Sequence, residues 1–161
     1  MPGRKRLIIL GVVAALVLGC VILMRLRPAA WPPQSVSWAA MSGELDLLKR
    51  LEAAGASIDT PDPHAFNWTP LIAAIYHQQT NVVQYLLTRK ISLDSQDRNG
   101  WTALMWAIME DDTNTVWLLL ERGADPALTN KVGMTAFGVL GPSPHREVLS
   151  KWLNEHRRQR R

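Results

Sequence analysis

The stretch Asn99–Ile108, NGWTALMWAI, decides the fold of this chain. Its Asn-Gly pair supplies the positive φ angles that a tight turn requires. Thr102 follows shortly afterwards and is a typical N-cap for the helix that Ala103 begins. The stretch therefore predicts a turn that leads directly into a short helix.

The same phrase occurs twice more in the chain. Residues 67–75 read NWTPLIAAI, and residues 133–137 read GMTAF. Thr69, Thr102 and Thr135 thereby follow one another at equal intervals along the sequence. A fixed period of this size is typical of a stacked array of repeats, and it determines how the rest of the chain is interpreted.

Apolar spacing predicts two short helices in each repeat. Leu104, Ala107 and Ile108 fall on one helix face, and so do Val116 and Leu119 further along the repeat. Neither apolar face is large enough to be stable alone, so at least three repeats must stack to build a continuous core.

The repeat at 97–129 closely resembles the ankyrin repeat. It has the D-x-x-G-x-T opening at 97–102, the V-x-x-L-L second helix at 116–120 and the Gly-Ala-Asp ending at 123–125. The resemblance extends over roughly residues 36–156. It implies an all-α ankyrin-repeat solenoid of about three to four helix-turn-helix units. In this chain we expect one N-terminal transmembrane helix to precede the solenoid.

These patterns divide the chain into five segments. They are a basic cytoplasmic segment at 1–6, a transmembrane helix at 7–24, a Pro-rich tether at 25–35, the repeat domain at 36–156 and a basic tail at 157–161. The repeat domain is divided into a first repeat at 36–61, a second at 62–96, a third at 97–129 and a fourth at 130–156.

The predicted anchor, Leu7–Met24, is 18 residues without a charge. As a helix it would be about 27 Å long, close to the thickness of the hydrocarbon core of a bilayer. Three cations and the free amine precede it and two cations follow it, which favours a cytoplasmic N-terminus with the repeats outside. We therefore expect a single-pass protein of the bacterial inner membrane, with its repeats in the periplasm.

This segment allows two other interpretations. Ala29-Ala30-Trp31 leaves a little room for signal cleavage, and Val17–Cys20 resembles a lipobox, but the flanking residues favour an uncleaved anchor. Within the anchor, Gly11, Ala15 and Gly19 recur every four residues on one helix face and so predict a homodimer. Small residues are also common in membrane helices without any such contact.

The charge of the chain argues against nucleic acid as a partner. The net charge is +4, from 18 cations and 14 acids. Nine of the cations flank the anchor or end the chain, so nine cations face 14 acids in the body and leave it at −5. Binding to phosphates needs a basic face, which this body lacks.

No catalytic pattern, cofactor motif or metal-ligand spacing is present. The four histidines are scattered, and the lone cysteine lies in the anchor. His145 and His156 are interpreted as surface residues. An enzyme or a metal- or cofactor-binding envelope protein is the alternative class, and a cluster of His64, His77 and Glu110 around a metal would favour it.

The resemblance implies a binding module without enzymatic activity. A protein partner would meet a concave surface of turn tips and inner helices. The longer tip near Pro63 would project outward, as tips on a binding face do. The candidate partner-binding residues are His64, Phe66, Trp68, Tyr76, His77, Arg98, Asn99, Trp101, Met109, Glu110, Lys131 and Met134.

The tryptophans allow two interpretations. Trp68 and Trp101 directly precede their helices, so they either face a partner or pack within the array. Trp106 is predicted to be in the core, and Trp117 is predicted to lie exposed on the convex side. The run Glu110–Asp112 replaces the usual turn glycine and is interpreted as a solvated acidic corner.

Overall fold

Each of the first three repeats starts its first helix with a hydroxyl side chain. Ser35, Thr69 and Thr102 accept hydrogen bonds from the backbone N–H three residues later, at 3.0, 3.2 and 3.3 Å. These bonds satisfy one of the N–H groups that a helix N-terminus leaves unpaired. The regular spacing of the threonines therefore reflects a capped helix start that recurs from one unit to the next.

The computed structural model describes residues 35–141 and 145–159. This part of the chain is all-α and contains seven helices: α1 (Val36–Ser42), α2 (Leu45–Ala53), α3 (Pro70–Tyr76), α4 (Thr80–Leu87), α5 (Ala103–Met109), α6 (Thr113–Glu121) and α7 (Arg146–Gln159). Each of the first three repeats is a helix pair. We call α1, α3 and α5 the inner helices, and α2, α4, α6 and α7 the outer helices.

The inner helices stack side by side through small residues. Helix α3 packs against α1 on one side and against α5 on the other. Ala40, Ala74 and Ala107 occupy corresponding positions and are fully buried. Leu86 and Leu119 of the outer helices complete the same core, so the predicted continuous core of stacked repeats is confirmed.

None of the helices in the described residues is both long enough and apolar enough to span a bilayer. The predicted anchor at 7–24 lies outside the described residues, and so do its packing residues Gly11, Ala15 and Gly19. These features stay predictions.

The fourth repeat departs from the predicted helix pair. Residues 136–139 form only a turn, which is closed by a hydrogen bond of 3.1 Å from Val139 N to Thr135 O. Glycines at 138 and 141 weaken helix formation, and the proline after Gly141 disfavours a helical conformation there. The second helix of this repeat, α7, forms and packs against α6.

A polar cluster joins the first two repeats on the outer side. The hydroxyl of Tyr85 donates to Glu52 and accepts a bond of 2.6 Å from Arg89 Nη2. Arg89 Nε also lies 3.4 Å from Glu52 Oε1. The pKa of Arg89 is raised, first by its hydrogen bond with Tyr85 and then by the charge of Glu52.

Candidate binding surface

A buried side chain closes the turn tip in the third and fourth repeats, Asp97 in one and Asn130 in the other. In the third repeat, Asp97 N donates to Trp101 O at 2.9 Å, and Asp97 Oδ1 accepts from the backbone N–H groups of Asn99 and Trp101 at 2.7 and 2.9 Å. Gly100 completes the turn with φ +80°. The predicted Asn-Gly turn is therefore confirmed, with Asp97 as the residue that holds it.

The second repeat has a longer tip than the third. Its closing bond joins Asp62 N to Trp68 O at 2.8 Å, so the tip spans two more residues than the one between Asp97 and Trp101. Phe66 adopts the left-handed conformation at the end of this tip, with φ +52°. The predicted lengthening near Pro63 is therefore present.

Backbone bonds connect each tip to the next. Arg98 N donates to Phe66 O at 3.0 Å, and Lys131 N donates to Asn99 O at 3.0 Å. The two donors occupy corresponding positions in successive repeats, and so do the two acceptors, so this ladder follows the period of the array. It fixes the spacing and the order of the side chains that the tips present.

Six aromatic rings of the second and third repeats form a continuous cluster, which we call the aromatic surface. Ring centroids lie 4.7 Å apart for Trp68 and Tyr76, 5.2 Å for Tyr76 and Trp106, and 4.9 Å for Trp101 and Trp106. These separations are typical of direct aromatic contacts. The members are Phe66, Trp68, Tyr76, His77, Trp101 and Trp106.

Trp106 joins the tip to the inner helix. Its Nε1 donates to Asp97 Oδ2 at 3.1 Å, while its ring contacts Tyr76 of the preceding repeat. The corresponding residue of the second repeat is Ala73, so the large ring is a feature that the third repeat does not share with the second. The prediction of Trp106 as a core residue is corrected, because the ring is half-buried and packs against the core from outside.

The predicted residues divide by exposure. Trp68 is only 8% exposed and belongs to the core, which decides between its two interpretations and corrects its prediction as a partner contact. Trp101 and Glu110 are half-buried. The remaining predicted residues are exposed: His64, Phe66, Tyr76, His77, Arg98, Asn99, Met109, Lys131 and Met134.

Large apolar side chains are exposed along this side of the array. Phe66 is 59% exposed, Met109 52% and Tyr76 40%. Met109 takes in α5 the place that Tyr76 takes in α3, one repeat earlier. Contiguous exposed apolar side chains of this kind mark contact sites for other molecules.

The sequence did not reveal the part played by Asp97 and Asn130. Asn130 Oδ1 accepts from the backbone N–H groups of Val132 and Met134, as Asp97 Oδ1 does in its own tip. Asn130 Nδ2, however, is buried without a partner, the only such side-chain atom found in residues 35–141 and 145–159. Val139 stands where the third repeat has Trp106, and its side chain offers no acceptor to the Nδ2 donor. The recurrence of Asp or Asn five residues before each threonine at 102 and 135 was the available signal.

The acidic corner, Glu110–Asp112, forms an ordered turn between α5 and α6. Asp111 takes the left-handed conformation with φ +54°, and Asp112 Oδ1 caps α6 by accepting from Thr115 N at 3.0 Å. His145 Nδ1 lies 3.1 Å from Asp111 Oδ2, and its side chain is exposed as expected. The carboxylates therefore order the turn, which corrects the interpretation of a merely solvated corner.

Trp117 lies on the outer side, 44% exposed as predicted. It borders a groove of about 490 Å³ that is otherwise lined mainly by polar side chains, among them Gln84, Glu110 and Asp112. In the described part of the chain no three His, Cys, Asp or Glu side chains come close enough to hold a metal ion. His64, His77 and Glu110 therefore do not form the cluster that would favour the alternative class.

Stacked helix pairs and connected turn tips define a helical repeat protein, and its aromatic surface is a candidate contact face. Residues 36–130, more than half of the chain, match the family model described as ankyrin repeats (3 copies). The chain belongs to the ankyrin-repeat family. The match ends at the start of the fourth repeat, the one that lacks a complete inner helix. Ankyrin repeats generally mediate protein–protein interaction and are typically not enzymes. No curated protein matches the sequence.

Proposed function

We propose that this chain is a membrane-anchored interaction module that binds a partner protein at the membrane surface through the aromatic surface and the turn tips. The continuous aromatic surface is the observation that supports the proposal most strongly. In this role the protein is a scaffold, an accessory factor or an inhibitor, and the inhibitor class includes an immunity protein that neutralises a toxin.

The physical basis is the combination of rigid support and exposed apolar area. Within the aromatic surface Trp68 is buried and Trp101 and Trp106 are half-buried, whereas Tyr76 is 40% exposed. Met109, at the position in α5 that corresponds to Tyr76, is 52% exposed. Aromatic side chains are enriched among the few interface residues that contribute most of the binding free energy, each worth about 2 kcal/mol or more. A preformed surface also avoids much of the entropy cost of ordering side chains on binding.

The membrane part of the proposal is based on the sequence. The uncharged stretch 7–24 is long enough to cross a bilayer, and the cations before it favour a cytoplasmic N-terminus. We therefore propose the bacterial inner membrane as the location, with the repeats in the periplasm. A homodimer through Gly11, Ala15 and Gly19 belongs to the same proposal.

Site-specific photo-cross-linking tests the contact face. A photoreactive phenylalanine derivative is placed at Tyr76, at Met109 or at Trp117 of the full chain in its native host. We expect the same covalent adduct from positions 76 and 109 and none of that size from position 117, which is similarly exposed but on the outer side. An adduct from position 117 alone would move the contact to the convex side and contradict the proposal.

Topology is tested by a reporter fused after Arg161 that is active only outside the cytoplasm. Activity of this fusion is the expected result. An inactive fusion, together with activity of a cytoplasmic reporter at the same position, would assign the repeats to the cytoplasm and direct the search to cytosolic partners.

A further inference from the structure

Acidic and basic side chains play different parts at the turn tips. The carboxylate of Asp97 is only 5% exposed and is used inside its own tip, and Asp62 Oδ1 accepts from the backbone N–H of His64. The side chains of Arg98 and Lys131, in contrast, are exposed at successive tips. The side chains of Arg98 and Lys131 therefore expose two cationic groups beside the aromatic surface, although the body of the chain is acidic.

The only acid among the predicted contact residues is Glu110. It lies just beyond the end of α5, at the opposite end of that helix from the tips, and its Oε2 accepts from Gln78 Nε2 at 3.2 Å. Arg98 donates one bond of its own, from Nη2 to Pro63 O at 3.2 Å, which leaves most of its five N–H donors available. The cationic character of the tips is thus not neutralised by Glu110.

From this arrangement we infer that the partner presents an extended acidic segment, in which a large apolar side chain contacts the aromatic surface and two carboxylates contact Arg98 and Lys131. The inference rests on the proposed function and specifies the chemistry of its partner. Complementary charge around an apolar contact determines register and excludes wrong partners.

The repeat geometry also predicts the spacing of the two carboxylates. The bond from Lys131 N to Asn99 O keeps the two cationic tips adjacent. Packed neighbouring helices lie roughly 8–10 Å apart, and successive tips share that spacing. In an extended polyproline II conformation, which has three residues per turn and rises about 3.1 Å per residue, carboxylates three residues apart lie on the same side and roughly 9 Å apart, which matches the interval between the tips.

A random twelve-residue peptide display library, selected on the detergent-solubilised full chain, tests this inference. We expect enriched peptides to carry Asp or Glu at positions i and i+3 beside Leu, Met or an aromatic residue. Affinity of the best peptide should fall about tenfold or more in the Arg98→Glu/Lys131→Glu variant and should weaken with added salt. The Lys90→Glu/Arg122→Glu variant, which reverses two exposed cations outside the aromatic surface, is the matched control and should bind normally.

The outcomes separate the inference from the proposed function. Neutral or basic peptides whose binding still depends on Tyr76 and Met109 would overturn the inference of an acidic segment. They would still support the proposed contact face. Peptides that bind regardless of Tyr76→Ala and Met109→Ala, or a failure to enrich any peptide, would count against both. Retention on vesicles of phosphatidylserine and phosphatidylcholine that is lost only in the Arg98→Glu/Lys131→Glu variant, without acidic peptides, would assign the cations to a lipid surface and overturn the inference.

Discussion

The indole Nε1 of Trp106 donates to Asp97 Oδ2 across 3.1 Å, while the other oxygen of the same carboxylate closes the turn tip. One buried side chain thus determines both the shape of the tip and the orientation of the central ring of the aromatic surface. In the fourth repeat Asn130 takes the place of Asp97 and still closes the tip. Val139 takes the place of Trp106, so no ring is oriented there and Asn130 Nδ2 has no partner.

Asp97→Asn should lower the free energy of unfolding by about 1–3 kcal/mol, because the amide nitrogen would face the Trp106 N–H and leave two donors opposed at a partly buried site. Urea denaturation followed by circular dichroism gives the value. In a Trp106→Phe background the same substitution should cost less, since the opposing donor is gone. Equal costs in the two backgrounds would show that the hydrogen bond contributes nothing.

Gly100→Ala and Gly133→Ala form a matched pair, because both glycines have φ +80° at corresponding tip positions. A Cβ at Gly100 would lie 2.9 Å from Lys131 N and 3.1 Å from Asn130 Cα, whereas a Cβ at Gly133 meets nothing within 4 Å. Backbone strain costs both variants roughly 1–2 kcal/mol. Gly100→Ala should cost at least about 1 kcal/mol more, because it also separates the tips joined by the Lys131–Asn99 bond.

Thermal and urea unfolding of the two alanine variants measure this difference directly. If both lose the same stability, the contact between successive tips is not a stabilising part of the array.

Trp68→Ala should destabilise the array by about 3–5 kcal/mol, the usual cost of removing a buried aromatic ring. Tyr76→Ala should cost only about 1 kcal/mol, because its ring is 40% exposed and mainly contributes contacts to other rings. Partner capture should nevertheless fall sharply in Tyr76→Ala, in keeping with a central interface residue.

Circular dichroism melts and co-purification of the cross-linked partner measure the two effects separately. A large fall in melting temperature for Tyr76→Ala would instead make this residue part of the core, and its effect on partner capture would then reflect unfolding.

Gln78→Asn should raise stability by at most about 1 kcal/mol, because Gln78 has φ +55°, a left-handed conformation that Asn adopts more readily than Gln. Loss of the exposed hydrogen bond from Gln78 Nε2 to Glu110 Oε2 offsets only part of this gain. Gln84→Asn is the matched control, since Gln84 lies exposed within α4, where Asn is the poorer helix former and should cost a few tenths of a kcal/mol. Urea midpoints of the two variants should therefore shift in opposite directions, and a shift in the same direction would contradict the conformational explanation.

Much of the fold could be predicted because it is encoded locally and repeated. The interval from Thr69 to Thr102 predicted where the inner helices begin, and the Asn-Gly pair before Trp101 predicted the turn tip. The inner helix of the fourth repeat was predicted from Thr135 and Ala136 but does not form. The glycines at 138 and 141 outweigh the apolar pattern there, and none of the described helices stacks on its far side to offset their cost.

The aromatic surface could be predicted only as a set of residue types. Whether Trp68 is buried depends on Tyr76 and on Trp106, which belongs to the following repeat, so spacing within one repeat could not decide it. The partner of Asp97 was hidden for a related reason. Its carboxylate accepts hydrogen bonds from backbone N–H groups and from the indole N–H of Trp106. Only the folded turn brings these donors to one side chain.

The incomplete inner segment of the fourth repeat has a consequence for the order in which the array opens. Each repeat is supported by its neighbours, and the single turn at 136–139 gives the third repeat less cover than a full helix would. Amide protons of this segment should exchange earlier than those of α3 and α5, because local opening begins where buried contacts are fewest. The aromatic surface is carried by the two interior repeats, so opening at this end can proceed while the rings of Trp68 and Tyr76 stay in contact.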